Sequence, residues 1–240
     1  MKPSVVVITG ASSGVGARLA VRLAAQGRTV VAAARSRERL EAVVRQASVG
    51  RIVPMVVDVA DAKAVQAVVE HIESDVGPIT ALVNNAAVFA MTDFSQQDPD
   101  QIGRMIATNL SGTIFCSRSV VPFMLSRRGG RIINIASVAG TRGIPNQAVY
   151  CATKHGVVGF ADALAQELQP HGITVSTLCP GGIDTPLWSH APGDSGQAYP
   201  GDVSETLPVD EVCDWIEFVM TRPPGTVPKR LVFFPTNEWH

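Results

Sequence analysis

The sequence Val5-Val6-Val7-Ile8-Thr9-Gly10-Ala11-Ser12-Ser13-Gly14-Val15-Gly16 decides the fold. Its β-branched start predicts a buried strand, and the residues after it are rich in alanine, leucine and arginine, as in a helix. Gly10 permits a tight turn off the strand, Gly14 lets the backbone approach a phosphate, and Gly16 lets the helix pack closely on the sheet. The helix N-terminus offers N–H groups and a positive dipole end to phosphates. The stretch predicts a nucleotide pyrophosphate site, although glycine-rich turns also serve packing alone.

The rest of the chain alternates short β-branched runs with longer helical stretches. The predicted strands cover residues 5–8, 29–33, 52–57, 81–83, 131–135, 173–178 and 231–234, and the predicted helices cover residues 18–26, 37–46, 62–74 and 149–168. Strands that alternate with helices of this length indicate right-handed βαβ crossovers. The expected fold class is therefore α/β, a Rossmann-type doubly wound parallel sheet of about seven strands with helices on both faces.

Composition and charge exclude several classes of protein. Hydrophobic residues make up 46% of the chain and charged residues 17%, as in a globular protein with a large core. A net charge of -1 gives no basic surface for nucleic acid or an anionic membrane, and no apolar run approaches the roughly 18 residues of a membrane span. The four cysteines form no CxxC pair and the five histidines show no ligand spacing, so free thiols, no metal and a cytoplasmic location are expected.

Nothing in the sequence divides residues 1–240, which contain no linker, repeat or low-complexity tract, so a single domain is expected. One stretch, residues 186–208, is rich in proline, glycine, serine and aspartate and is too long for an ordinary connection. Long irregular segments of this kind commonly close over active sites. The stretch therefore predicts a substrate lid, with a plain surface insertion as the alternative.

The strongest functional signal is Tyr150-Cys151-Ala152-Thr153-Lys154, with Ser137 thirteen residues before the tyrosine (150 − 137). On a helix, Tyr150 and Lys154 lie one turn apart on the same face. Ser137 follows the fifth predicted strand, at the sheet edge where α/β proteins bind ligands. A phenol has an ordinary pKa near 10, so an adjacent ammonium together with a positive nicotinamide would stabilise its phenolate, while a serine hydroxyl polarises a carbonyl. The set predicts proton transfer to and from a carbonyl oxygen.

The TGxxxGxG spacing of residues 9–16, together with the YxxxK motif and the serine, resembles the short-chain dehydrogenase/reductase family. The resemblance runs from Ser4 to about Thr185 and implies an oxidoreductase that uses a nicotinamide cofactor. It also implies a fourth catalytic residue, Asn109, which would anchor a water that relays protons to Lys154. A capping or helix-breaking asparagine is the alternative.

The end of the second strand, Ala34-Arg35-Ser36-Arg37, indicates which nicotinamide cofactor is used. NAD-binding proteins of this fold place an acidic residue there to bind the ribose 2′-hydroxyl, and this chain has none. Arg35 stands where a guanidinium can bind a 2′-phosphate bidentately, with Arg37 as a possible helper. The prediction is NADP(H) rather than NAD(H), and the alternative is a pair of solvated arginines at a helix start.

The resemblance implies a larger set of cofactor-binding residues, matched motif by motif. They are Gly10, Ser12, Ser13, Gly14, Val15, Gly16, Arg35, Asp58, Val59, Asn85, Ala86, Tyr150, Lys154, Pro180, Gly181, Ile183 and Thr185. Asp58 would contact the adenine, although it also suits a helix cap. Ala87 departs from the usual glycine of the motif and places a methyl group on the cofactor side of its loop.

The substrate is the least determined part. Expected pocket residues are Val88, Phe89, residues 138–140 and 145–147, Leu187, Trp188 and His190, which suits a small or medium polar carbonyl compound. The C-terminal segment resembles NADP-dependent 3-hydroxy acid dehydrogenases of the same family, and a ketone of secondary metabolism is equally compatible. The resemblance also implies a homo-oligomer, a dimer or tetramer, through helices at 109–127 and 149–168. A catalytically silent NADP-binding sensor or scaffold is the alternative function.

Overall fold

The computed structural model describes residues 3–188, 205–223 and 225–237. Their strands are β1 (Val5–Thr9), β2 (Thr29–Ala34), β3 (Arg51–Val56), β4 (Ile79–Asn84), β5 (Gly130–Ile135), β6 (Ile173–Pro180) and β7 (Arg230–Phe233). They form one sheet in the order β3-β2-β1-β4-β5-β6-β7, and every neighbouring pair is parallel. This is the predicted Rossmann-type α/β fold with seven strands.

Helices cover both faces of the sheet. They are α1 (Gly14–Ala25), α2 (Arg37–Val44), α3 (Ala62–His71), α4 (Pro99–Met105), α5 (Gly112–Arg127), α6 (Ala148–Leu168) and α7 (Val209–Met220). One core packs α1, α2 and α7 on the first face, and a second core packs α3, α5 and α6 on the other. Because both faces are buried, the strands need continuous apolar runs rather than alternation, which explains the all-buried patterns of β1 and β2.

The sequence predicted all seven strands within two residues at each end, and the four helices that it assigned are confirmed as α1, α2, α3 and α6. It assigned no helix to α7, which packs on α1 and is joined to it by ion pairs from Arg22 to Asp214 and Glu217. The predicted lid at 186–208 lies largely outside the described residues, since only 186–188 and 205–208 of it are described. The lid stays a prediction.

The strand order places the site. The chain reverses its direction of winding between β1 and β4, which are neighbours at the centre of the sheet. In open α/β sheets ligands bind outside the carboxyl ends of the strands at such a reversal. The glycine-rich turn follows β1, Asn85 follows β4 and Ser137 follows β5, so the predicted functional residues meet at one edge.

Candidate active site

A cleft of about 750 Å³ opens at this edge. The cofactor residues predicted from the sequence that line it are Gly10, Ser12, Ser13, Gly14, Val15, Arg35, Asp58, Val59, Asn85, Ala86, Tyr150, Lys154, Pro180, Gly181, Ile183 and Thr185. Gly16 is the exception, because it lies behind the turn. An added Cβ at Gly16 would come within 2.6 Å of the Asn85 amide nitrogen and the Gly10 oxygen, so its role is packing.

The glycine-rich turn is shaped by its contacts with other loops. Gly10 has φ +66°, and a Cβ on it would lie 2.7 Å from the Cα of Ala86. Gly14 has φ +51°, and a Cβ there would lie 3.2 Å from the side chain of Thr185. Both positions therefore need glycine for backbone conformation and for space. The turn leaves its backbone exposed to the cleft just before α1, as a phosphate site requires.

Thr9 and Asn85 join the end of β1 to the loop after β4. The Thr9 hydroxyl accepts hydrogen bonds from the backbone N–H groups of Asn85, at 3.0 Å, and Ala86, at 3.1 Å. The Asn85 amide donates back to the carbonyl oxygens of Thr9 and Gly10. The glycine-rich turn and the loop after β4 are thus joined by hydrogen bonds. Sequence analysis gave Thr9 no role beyond its place in the motif.

Arginines flank the far end of the cleft, beside β2 and β3. Arg35 lines it as predicted, but the second arginine there is Arg39, and Arg37 is not among the lining residues. The role of Arg37 as helper stays a prediction. Asp61 caps α3 by accepting from Lys63 and Ala64, which excludes a capping role for Asp58. Asp58 lines the cleft and accepts from the backbone N–H of Ala60.

The catalytic candidates Ser137, Tyr150 and Lys154 lie together at the other end of the cleft. Ser137 begins the short turn Val138–Gly140, and its hydroxyl accepts from the backbone N–H of Ala139 at 3.1 Å. Tyr150 and Lys154 lie on the buried face of α6, with the Lys154 Nζ 5.5 Å from the centre of the Tyr150 ring. The Lys154 ammonium donates a hydrogen bond of 2.9 Å to the Ile135 carbonyl, and this bond fixes the position of the ammonium at the end of β5.

Burial dominates the electrostatics of these groups. It raises the pKa of the Tyr150 phenol, and the side-chain hydrogen bond with Ser137 acts in the opposite direction. It lowers the pKa of Lys154 to about 8. Desolvation disfavours the charged form of each group, a phenolate in one case and an ammonium in the other. Burial thus favours the neutral phenol. Stabilisation of the phenolate by Lys154 together with a positive nicotinamide stays a prediction.

Asn109 lies in a wide π-helical turn (Ile106–Ser111) between α4 and α5 and is 1% exposed. Its side chain accepts from the Val88 N–H at 2.8 Å and donates to the Val88 carbonyl at 2.9 Å. It also donates to the Thr153 hydroxyl, which in turn donates to the Tyr150 carbonyl. Asn109 does not line the cleft, and its side chain joins the loop after β4 to the helix that presents Tyr150. The capping alternative is not what the structure shows.

Aromatic rings form the wall around the catalytic end. The ring of Phe89 lies 4.9 Å from Tyr150 and 4.8 Å from Trp188, edge-on in both cases. Val88, Val138, Gln147 and Leu187 also line the cleft as predicted, whereas Ala139 and Gly140 are buried outside the lining. Six lining residues between positions 104 and 144 were not predicted: Arg104, Thr108, Ile135, Ala136, Arg142 and Ile144. The predicted His190 lies outside the described residues.

The buried lysine has a consequence for stability. Because burial lowers the Lys154 pKa from its ordinary 10.5 to about 8, the unfolded chain binds more protons between these values, and stability should rise with pH across that window. At pH 7 the buried, charged ammonium destabilises the folded protein. Lys154→Met should therefore raise the free energy of unfolding by about 1–3 kcal/mol, and it should also abolish turnover. Urea denaturation of both proteins at pH 7 and pH 10 measures this. If the variant were less stable than the unmodified protein at pH 7, and its free energy of unfolding changed with pH in the same way, the buried ammonium would not be destabilising.

The model of one protein family, short chain dehydrogenase, matches residues 4–195. The chain belongs to the short-chain dehydrogenase family. It is 38% identical over 193 residues to a 3β-hydroxysteroid dehydrogenase of Mediterraneibacter gnavus, covering 79% of this chain and 70% of the relative. It is 35% identical over 194 residues to the 3-oxoacyl-(acyl-carrier-protein) reductase FabG of Thermotoga maritima, covering 80% and 79%.

A solved structure of this family superposes on nearly the whole chain. The closed form of serine dehydrogenase complexed with NADP+ has a TM-score of 0.88 at 27% identity, covering 98% of this chain and 96% of that one. The short-chain dehydrogenase family accounts for the reaction class, an oxidoreductase acting on alcohol and carbonyl groups. Among the described residues, no helix is long and apolar enough to cross a membrane, and no cluster of side chains suits a metal ion. All four cysteines are free and buried, as expected.

Proposed function

We propose that this short-chain dehydrogenase uses NADP(H) to interconvert a ketone or aldehyde and an alcohol, with Tyr150 as the acid and base. One observation supports this most: Ser137, Tyr150 and Lys154 line the same cleft as the glycine-rich turn. The serine, tyrosine and lysine side chains would transfer protons, and the turn would bind the pyrophosphate. A silent NADP-binding scaffold would need the turn but not the three side chains.

The residues present fit a dinucleotide. A side chain at Gly10 would collide with the backbone of Ala86, and one at Gly14 would press on the side chain of Thr185, so the turn offers bare backbone to the phosphates at both positions. Of the residues that line the cleft, Asp58 and Val59 would contact the adenine, Arg35 the 2′-phosphate, and Ile183 and Thr185 the nicotinamide carboxamide. The nicotinamide supplies the hydride donor or acceptor and, when oxidised, a positive charge.

Each catalytic side chain has a role that its position supports. The Ser137 hydroxyl, fixed at the start of its turn, donates to the carbonyl oxygen of the substrate. The Tyr150 hydroxyl gives a proton to that oxygen during reduction and takes it back during oxidation. Lys154 is held under the ring by Ile135, and its positive charge opposes the effect of burial on the phenol. Asn109 keeps the Val88 loop against α6, and we retain the relayed water as part of this proposal.

The substrate is proposed only as a class. The aromatic wall and the buried Gln147 amide suit a small or medium carbonyl compound with an apolar part and one polar group. The relatives named above refer to a hydroxysteroid, a 3-oxoacyl group and serine, so they do not agree on one substrate. A 3-hydroxy acid with its 3-oxo partner and a ketone of secondary metabolism both stay within this class.

The domain count, the lid, the cellular location and the oligomeric state are predicted from the sequence alone. The predictions are a single domain over residues 1–240, a lid at 186–208 and a cytoplasmic location. A further prediction is a homo-oligomer, a dimer or tetramer, formed through α5 and α6. Analytical ultracentrifugation tests the last of these directly.

The deciding experiment is a titration of the purified protein with NADPH and NADH, followed by nicotinamide fluorescence. We expect tighter binding of NADPH, and Arg35→Ala should weaken it by about 10- to 100-fold while leaving NADH unchanged, because it removes charge-assisted hydrogen bonds to the 2′-phosphate. Equal or better binding of NADH would overturn the NADP(H) preference. Tight binding without turnover of any carbonyl in a broad screen would favour the silent scaffold.

A further inference from the structure

We propose that Thr153 is a positioning residue, whose hydroxyl fixes Tyr150 relative to the loop that carries Phe89 and the aromatic wall. The inference rests on the proposed function, in which Tyr150 transfers the proton to and from the substrate. Thr153 is 1% exposed and is not among the residues that line the cleft. Its side chain therefore acts on the site through its neighbours.

The two hydrogen bonds of the Thr153 hydroxyl have a fixed direction. The hydroxyl donates to the Tyr150 carbonyl at 2.8 Å and accepts from the Asn109 side-chain amide at 3.3 Å. Because a hydroxyl has one proton, the bond to Tyr150 leaves its oxygen to accept from Asn109. Thr153 thus joins the backbone of α6, at the residue that carries the phenol, to the π-helical turn that carries Asn109.

Asn109 continues this connection to the loop after β4. Its amide oxygen accepts from the Val88 N–H at 2.8 Å, and its amide nitrogen donates to the Val88 carbonyl at 2.9 Å and to Thr153. The Val88 N–H is a donor, so the amide oxygen must face it and the amide nitrogen must face Thr153. An apolar side chain at position 153 would leave one buried N–H of Asn109 without its acceptor.

The same loop contacts Tyr150 a second time, through the aromatic ring. Phe89 follows Val88 directly, is 7% exposed, and lies edge-on to the Tyr150 ring at 4.9 Å between centres. The loop therefore holds the carbonyl of Tyr150 through Thr153 and Asn109, and its ring through Phe89. These contacts fix the phenol against the wall that a substrate would meet. Misplacement of a reacting group by about 1 Å can lower a rate by about 10²-fold.

A second bond distinguishes Thr153 from other threonines in helices. Threonine hydroxyls often bond to a carbonyl three or four residues earlier without further effect. Thr113 and Thr221 do so here, with the carbonyls of Asn109 and Glu217. The Thr153 oxygen also accepts from a buried side-chain amide 44 positions away, and this bond assigns it the positioning role.

The test compares Thr153→Val, which keeps the shape of the side chain and removes the hydroxyl, with Thr153→Ser, which keeps the hydroxyl. In the full-length protein with NADPH and a carbonyl compound that it reduces, Thr153→Val should lower kcat/KM by about 10- to 100-fold. Thr153→Ser should lower it by less than about threefold, because both hydrogen bonds are retained. The dissociation constant of NADPH should stay within about twofold, since Thr153 lies outside the cleft. Thr221→Val is the matched control and should change neither quantity.

Two further measurements separate positioning from a general weakening of the fold. In a Phe89→Ala background, where the ring contact is lost, Thr153→Val should lower kcat/KM by less than about threefold more, because residues of one network are not additive. The Val88 amide should exchange its hydrogen about tenfold faster in Thr153→Val and at an unchanged rate in Thr153→Ser. NMR measures this exchange without any substrate. Thr153→Ala serves as the second variant if the valine variant does not fold.

Each outcome decides the question. Turnover by Thr153→Val within threefold of the unmodified protein overturns the proposal, and so does an equal loss in Thr153→Ser, because the hydroxyl would then not matter. A full additional loss in the Phe89→Ala background overturns it as well, since Thr153 would act by another route. A Tyr150→Phe variant that keeps its turnover overturns the proposed function itself, and the role of Thr153 in positioning the phenol fails with it.

Discussion

Tyr150→Phe should lower kcat by about 10²- to 10⁴-fold and leave NADPH binding within twofold of the unmodified protein. The hydroxyl is the group that gives and takes the proton, and phenylalanine keeps the ring that packs edge-on against Phe89 at 4.9 Å. Steady-state kinetics on whichever carbonyl compound is turned over measures kcat, and nicotinamide fluorescence measures binding.

The control for this prediction is the stability of the variant. The Tyr150 side chain is buried, and removing its hydroxyl deletes one hydrogen bond, with Ser137, so the free energy of unfolding should change by about 1 kcal/mol or less. Turnover that survives within tenfold, in a variant that folds and binds NADPH, would mean that another group supplies the proton. Ser137 would then be the next residue to test.

Gly10→Ala should destabilise the protein by about 2–5 kcal/mol and abolish detectable cofactor binding. The added methyl group would lie 2.7 Å from the Cα of Ala86, which is backbone and cannot rotate away. The residue also has φ +66°, which costs an L-amino acid about 1–2 kcal/mol. The collision adds about 1–3 kcal/mol and separates the loop after β4 from the glycine-rich turn. Urea denaturation and NADPH titration measure the two effects.

Gly27→Ala is the matched control, because it isolates the cost of backbone conformation. Gly27 has φ +80°, and an added Cβ there meets nothing within 4 Å. This variant should lose only about 1–2 kcal/mol and bind NADPH normally. Equal losses in the two variants would show that the contact between Gly10 and Ala86 contributes nothing, and that the turn tolerates a side chain.

Local pattern was sufficient for the architecture and for most of the cleft. Buried strands, helix lengths and the turn after β1 depend on residues close together in sequence, so periodicity and glycine spacing predicted them. The motif residues Ser137, Tyr150 and Lys154 follow strand or helix ends, whose edge of the sheet is known once the strands are parallel. For this reason the sequence alone predicted that the candidate catalytic residues share one site.

Contacts between distant segments could not be predicted in this way. Arg104, Thr108 and Arg142 line the cleft because α4, the π-helical turn after it and the loop before α6 reach the cleft in space. The side chain of Asn109 contacts Val88 and Thr153, which lie 21 and 44 positions away, and no local pattern indicates either contact. Helix α7 was not assigned although its buried residues follow a helical spacing, and its packing against α1, almost two hundred residues earlier in the chain, is shown only by the tertiary structure.

The sequence by itself determined the α/β fold, the glycine-rich turn after β1 and the candidate set of serine, tyrosine and lysine, because each depends on residues close together in the chain. The tertiary structure decided what depends on burial and direction. It placed Arg39 rather than Arg37 at the cleft, since the helix cap sets the angle at which each side chain leaves α2. It also set the pKa directions of Tyr150 and Lys154, because desolvation depends on what the folded chain packs around a group.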